Sequence, residues 1–244
     1  MCIRDRSSGY NFASLGLFAQ RSIFSAGDAN IKIPAQVSGG ILRLPGVMLG
    51  HVSRISPTSH NIGDPPSFFL SALINTPLEH SLLDSLPEGM RSYNATGEPC
   101  LQAYWRTLVA DCKCYPMHRL KRDEITRCNS IIESVVRREQ PPDRLRGLDC
   151  WDMWERMEDE WTLATTHNGF YSLVMHHVEE GDVLAVLDGA KVPVVLIPVQ
   201  TEPATNACVT YKLISTAYVH GFMDGEAKIW ATDGRLKAQE FLIV

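Results

Sequence analysis

The run Val183, Leu184, Ala185, Val186 and Leu187 is unbroken and apolar, and Asp188-Gly189 stops it with the positive φ angles of a tight hairpin. The chain is expected to reverse over Asp188–Lys191 and to return as the β-branched run Val194–Val199. Pro193 lacks a donor and therefore marks that strand's first residue or an edge position, while Pro198 limits its far end. After a polar loop, Thr201–Ala207, the residues Tyr211, Leu213, Ala217 and Val219 alternate with Lys212, Thr216 and His220, which predicts one half-buried strand. Gly221 and Gly225 break it as a turn, with Asp224 and Glu226 beside them. Glu240–Val244 is apolar enough for a last strand.

Further upstream, Thr162–Thr166 and Phe170–Val174 flank His167-Asn168-Gly169, a hairpin signal. Ile31-Lys32-Ile33 and Ile41–Ile55 read as strands around a Ser38-Gly39-Gly40 turn, with Pro45 and Gly46 arguing for a bulge or kink in an edge strand. Helical periodicity fills the middle of the chain. Two short candidates, Pro66–Ile74 and Leu78–Leu86, lie within a loop-bearing connection, and Pro99 then opens a helix with Leu101, Tyr104, Trp105, Leu108 and Val109 on one face. A second helix, Asp123–Arg137, turns Ile125, Cys128, Ile132 and Val135 inward and ends before Pro141-Pro142. A third, Cys150–Trp161, stacks Trp151, Trp154, Met157 and Trp161 on one stripe, opposite Asp152, Glu155 and Asp159.

These elements predict an α+β fold, in which strands from both ends of the chain meet in a small antiparallel β-barrel or curled sheet around a helical insertion. Residues 10–244 read as a single α+β domain, with strands in 31–55, a helical region in 66–161 and barrel strands in 162–244. Residues 1–9 read as a disordered start headed by MCIRDR, which resembles a translated sequencing-adapter scar, so that Met1 is not expected to be the true start.

Composition narrows the role. With 45% hydrophobic and 21% charged residues the chain is an ordinary globular protein, and a net charge of -5 argues against nucleic-acid or anionic-membrane partners. Arg119–Arg122 and Arg137-Arg138 read as solvated helix-end charges. No apolar run approaches the ~18–20 residues of a membrane-spanning helix, and seven cysteines without a regular framework suit a reducing compartment, so a cytoplasmic location is expected.

Candidate chemistry falls into three sets. Cys112, Cys114, His118 and Cys128 carry zinc's preferred ligand atoms, although C-x-C-x3-H-x9-C is not a recognised module, and buried or loop thiols explain them more simply. His176 and His177 could meet His220 across a sheet, with Asp182 and Glu226 as orienting carboxylates, a layout suited to metal or general acid–base work; surface histidines are the plainer reading. No G-x-S-x-G elbow, Walker A or G-x-G-x-x-G element occurs. The third set is the turn itself, Tyr218, His220, Gly221, Met223, Asp224, Gly225 and Glu226. It is read either as structural, with the glycines turning the chain and Glu226 accepting from its backbone, or as a recognition surface of Tyr218, His220, Met223 and Asp224. The Trp/Met stripe reads as core, or as a docking surface if partly exposed.

The string G-D-V-x-x-V-L-x-G-x-x-V-P-V-V-L from Gly181, followed by Tyr218-Val219-His220-Gly221 and Met223-Asp224-Gly225-Glu226, resembles the C-terminal region of fungal heterokaryon incompatibility (HET) domain proteins. Thr166, Gly169 and Phe170, the YWRTLVAD string from Tyr104 and Asn11-Phe12-Ala13-Ser14 extend the likeness; Ile197, where an Arg is common, and Ser215, where a Gly is common, depart from it. The resemblance implies a role in non-self recognition and regulated cell death. The family's death-inducing module lies N-terminal to such a region, and its Ala-Leu-Ser-Tyr-x-Trp-Gly-like element is absent here. The chain is therefore expected to be a non-catalytic C-terminal portion, without metal or cofactor, whose partners are a missing N-terminal HET module and other proteins. The alternative is a metal- or cysteine-dependent enzyme built on the histidine or Cys/His sets.

Overall fold

A computed structural model describes residues 23–27, 36–56, 92–158, 160–199 and 209–244. The strand expected at Ile31-Lys32-Ile33, the short helices Pro66–Ile74 and Leu78–Leu86, the loop Thr201–Ala207 and residues 1–9 lie outside them. In chain order the elements are β1 (Gln36–Ser38), β2 (Ile41–Ile55), α1 (Cys100–Leu108), β3 (Cys112–Lys113), β4 (His118–Arg119) and α2 (Arg122–Val136). A 3-10 turn (Pro142–Gly147) and α3 (Trp151–Glu158) follow, then β5 (Trp161–Thr166), β6 (Tyr171–Met175), β7 (Val183–Leu187), β8 (Val194–Val199), β9 (Thr210–Thr216), β10 (Tyr218–Val219), α4 (Glu226–Thr232) and β11 (Lys237–Ile243). The residues fall into two compact units, Met1–Ile55 with Ala164–Val244, and Ser56–Leu163.

In the first unit, strands from both ends of the chain pair in one nine-stranded sheet, as the pattern predicts. Residues Leu42–Met48 of β2 run antiparallel to β11, and Gly46–His51 run antiparallel to β7. Strand β8 joins β7 to β9, and a short parallel pairing of Leu242 and Ile243 with Thr210 and Tyr211 joins β11 to β9. The pairings β2–β11–β9–β8–β7 thus return to β2, while β5, β6 and β10 extend from its far end. All five strands of this cycle contribute to one apolar cluster, in which Val183, Ala185, Leu196, Tyr211 and Phe241 are buried and Leu44 and Met48 pack against them. Leu184, Val186 and Val195 are equally buried on the other side. A strand covered on both faces has no polar phase, which is why β7 reads as an unbroken apolar run.

Pro45 and Gly46 were expected in an edge strand; instead β2 is flanked on both sides. An antiparallel bonded pair exchanges two hydrogen bonds. Pro45 accepts from the Asp188 N–H at 2.9 Å, at the very end of β7, so its missing donor costs only the last rung of that ladder. Gly46 is needed for closeness, because a Cβ there would meet the Val186 carbonyl oxygen at 2.6 Å. The kinks fall further on, as register shifts at Met48/Gly50 toward β7 and at Val52/Arg54 toward β5.

Three sequence expectations need correction. The single strand expected over residues 211–220 is two, because a register shift opposite Val195/Leu196 changes its phase and leaves Leu213 exposed. Past Thr216 the chain abandons β8, and Tyr218 and Val219 pair with Leu173 and Ser172 of β6. Trp161 is not on the α3 stripe; α3 ends at Glu158, and Trp161 opens β5. Helix α4 was not anticipated, since seven residues offer too little periodicity to stand out from a turn.

In the second unit, α1 buries Tyr104, Trp105 and Leu108, and Trp105 donates to Asn129 of α2 at 2.7 Å. Helix α2 is capped by Glu124, whose carboxylate accepts from the Lys121 N–H at 2.9 Å. Trp151, Trp154 and Met157 of α3 are all buried, so the stripe is core and offers no docking surface.

Replacing Gly46 by Ala should cost about 2 kcal/mol in urea unfolding, because backbone rather than a flexible side chain must yield. Gly147→Ala, where no atom lies within 4 Å of the added Cβ, should stay within about 0.5 kcal/mol of the parent. Equal effects would contradict the crowding at β2.

Candidate functional site

The predicted site turn begins where β10 leaves β6. The His220 N–H donates to the Tyr171 carbonyl at 3.0 Å, which carries the pairing one residue past β10 and swings the imidazole inward. There His220 Nδ1 lies 2.7 Å from the Tyr218 hydroxyl, and the two side chains are 2% and 0% exposed. Gly221 and Gly225 take left-handed φ values of 84° and 97°, and the Phe222 N–H closes the turn on the Val219 carbonyl at 3.0 Å. Buried Met223 accepts the Val219 N–H on its sulfur at 3.4 Å, and its carbonyl accepts the Ser25 N–H at 2.9 Å. Glu226 accepts from the Asp224 N–H at 2.7 Å and opens α4, just where a carboxylate favours a helix start.

An aromatic cluster anchors that helix. Phe222, Phe170 and Trp230 meet edge to face, with centroids 4.6 Å apart for Phe170–Phe222 and 5.2 Å for Phe222–Trp230, and the Arg235 guanidinium lies 4.0 Å over Trp230. The structure therefore brings all seven predicted residues together, but it points Tyr218, His220 and Met223 inward and leaves only Asp224 well exposed. Of the four candidate recognition residues, Asp224 alone is presented at the surface.

The two chemical sets come apart. His176 is exposed just past the end of β6, whereas His220 sits level with Tyr171 at its start, about 16 Å away at the rise of a strand. Cys114 faces the Met153 sulfur at 3.5 Å, His118 contacts Glu124 at 3.1 Å, and Cys128 lies 3.9 Å from Cys150. Among the described residues no group of three or more His, Cys, Asp or Glu is placed to hold a metal ion. The spacing of Cys112, Cys114, His118 and Cys128 gave no hint that Cys128 would turn toward Cys150.

The helical unit instead concentrates charge. Buried Asp111 binds Arg106 Nε at 2.7 Å and Arg119 at 2.9 Å, and Arg106 also binds Glu98. Arg119, read from sequence as a solvated charge, is thus part of an ion-pair chain. A second network joins Lys113 and Arg127 to Asp149 at 3.2 and 2.9 Å, and Arg127 to Asp123 at 3.0 Å. Burial works to raise the Asp149 pKa, but the hydrogen bonds from Arg127 and Lys113 outweigh it and hold the carboxyl below its ordinary value. Glu124 is lowered in the same way, with the Lys121 N–H and His118 outweighing burial.

Residues 155–243 match the family model of the Het-6 beta-barrel domain, which covers less than half of the chain. Neither the curated proteins nor the solved structures give a match. The matched segment supplies β7, β8, β9 and β11, four of the five strands in the closed cycle of pairings, and contains the whole site turn. Among the described residues no helix is long and apolar enough to cross a membrane.

Tyr218→Phe should cost about 1 kcal/mol, the net worth of one buried hydrogen bond, measured by denaturant unfolding; an unchanged midpoint would show that the Tyr218–His220 contact contributes nothing. Acid supplies a second check. Carboxylates with lowered folded pKa values stabilise the fold above their unfolded values and lose that stabilisation as pH falls through the folded ones. Stability of the helical unit, followed by tryptophan fluorescence, should therefore fall as pH drops below the ordinary values of 4.5 for Glu124 and 3.8 for Asp149. Asp149→Asn should make that fall shallower.

Proposed function

We propose that this chain is the non-catalytic C-terminal portion of a heterokaryon incompatibility protein, acting as a scaffold or interaction part in fungal non-self recognition and regulated cell death. The observation that carries the reading is the Het-6 beta-barrel match over residues 155–243, set beside strands whose pairings run in a cycle and return to β2. On this reading the cycle β2–β11–β9–β8–β7 is a small barrel with β2 as its closing stave. The inward-facing Tyr218, His220 and Met223 brace the barrel's exit turn, and they are spent on packing rather than on chemistry. The protein works in the cytoplasm, takes neither nucleic acid nor membrane as partner, and is joined to an N-terminal HET module.

Recovering the coding sequence upstream of Ser7 tests the assignment. An in-frame HET module is expected. An in-frame stop codon followed by a start codon near Tyr10 would overturn it, as would catalytic turnover by the purified chain.

A further inference from the structure

The second unit contains a buried dithiol that the proposed function does not use. The Cys128 and Cys150 sulfurs lie 3.9 Å apart, and both residues are fully buried. They sit in two adjacent rungs of one contact, because the preceding residues also meet: Arg127 on α2 binds the Asp149 carboxylate at 2.9 Å. Lys113 holds the other Asp149 oxygen at 3.2 Å. The Asp149-Cys150 segment is thus tied to α2 by Arg127 and to β3 by Lys113, and the thiols face each other beside these contacts.

The sulfurs are not equivalent. The contact with Cys150, together with the backbone N–H groups of Asp149 and Cys150 immediately before α3, outweighs burial and the Asp149 charge and lowers the Cys128 pKa. Cys150 is pushed well up by the contact with Cys128 and by its burial. This direction makes Cys128 the attacking sulfur of the pair and Cys150 the resolving one. Closing from contact to bonded distance requires each sulfur to move by only about 1 Å, within the reach of a side-chain rotation.

We propose that Cys128 and Cys150 form an oxidation site, closed to a disulfide by hydrogen peroxide. The Cys128 thiolate attacks one peroxide oxygen, so that the S–O bond forms, the O–O bond breaks and the departing hydroxide takes up a proton as water. Cys150 then attacks the Cys128 sulfur, the S–S bond forms, the S–O bond breaks, and the second hydroxide leaves with the Cys150 proton as water. Two thiols and one peroxide give one disulfide and two waters, and a cellular dithiol reverses the change. The bond ties α2 to the start of α3, beside the Asp149 ion pairs.

The purified full chain, reduced and then exposed to an equimolar amount of hydrogen peroxide, tests the site by thiol titration and non-reducing peptide mapping. Two of the seven thiols should be lost, with the Cys128–Cys150 peptide pair dominating all other linkages and disappearing on dithiothreitol treatment. The midpoint of thermal unfolding should rise by roughly 5 °C or more, because the link shortens the unfolded chain's freedom. In Cys150→Ser, Cys128 should be trapped as a dimedone-reactive sulfenic acid, whereas in Cys128→Ser residue 150 should stay unmodified. Linkages scattered over the other cysteines, retention of all seven thiols, or equal reactivity of the two single variants would overturn the proposal. The wild-type map decides the matter even where a variant fails to fold, and it does not depend on the role of the β-rich unit.

Discussion

Strand β2 is the constraint on which the β-rich unit depends. A strand has two edges, and β2 fills both twice: β11 and then β5 lie along one, β1 and then β7 along the other. Fifteen residues cannot serve four partners while remaining straight, so the strand shifts register at Met48/Gly50 and again at Val52/Arg54. Each shift reorients the strand without ending it. The cycle through β11, β9, β8 and β7 closes only because β2 is long enough and bent enough to be reached from both directions. Removing the exposed edges this way also takes away the template for strand-to-strand aggregation.

A long central strand imposes local demands that its sequence meets in unusual places. Pro45 is tolerated because the bond it cannot donate is the last of the β7 ladder, and Gly46 is required because the neighbouring backbone leaves no room for a side chain. The same economy governs the turn after β10. Its polar groups are directed at one another, Tyr218 to His220 and Asp224 N–H to Glu226, and the aromatic cluster beneath them ties α4 to β6 through Phe170. A turn with its donors and acceptors committed in this way is rigid.

The helical unit is held differently. Its apolar stripes on α1, α2 and α3 are buried, and ion pairs tie the connecting segments to the helices: Asp111 between Arg106 of α1 and Arg119 of β4, and Asp149 between Lys113 of β3 and Arg127 of α2. The Asp111 contacts are costly to break because a buried charge is left without its partners. The Arg127–Asp149 pair lies one residue before Cys128 and Cys150, so the two contacts share one register.

The alternation of apolar and polar residues, by itself, determined that this chain is α+β, that its two ends carry strands, and where most of them begin and turn. Asp188-Gly189 and Asn168-Gly169 mark hairpins because only a few residue types accept those backbone angles, and the stripes of α1 and α2 report burial at helical spacing. Tertiary structure decided the rest. Nothing in Pro45-Gly46 distinguishes an edge strand from the end rung of a central one, since that depends on where a strand distant in sequence stops. The alternation through Leu213 reads as one strand until the register shift beside Val195 changes its phase and sends Tyr218 to β6. The roles of His220, Arg119 and Cys128 were likewise out of reach, because a side chain's chemistry depends on its partner, and Tyr218, Asp111 and Cys150 become partners only when the chain has folded.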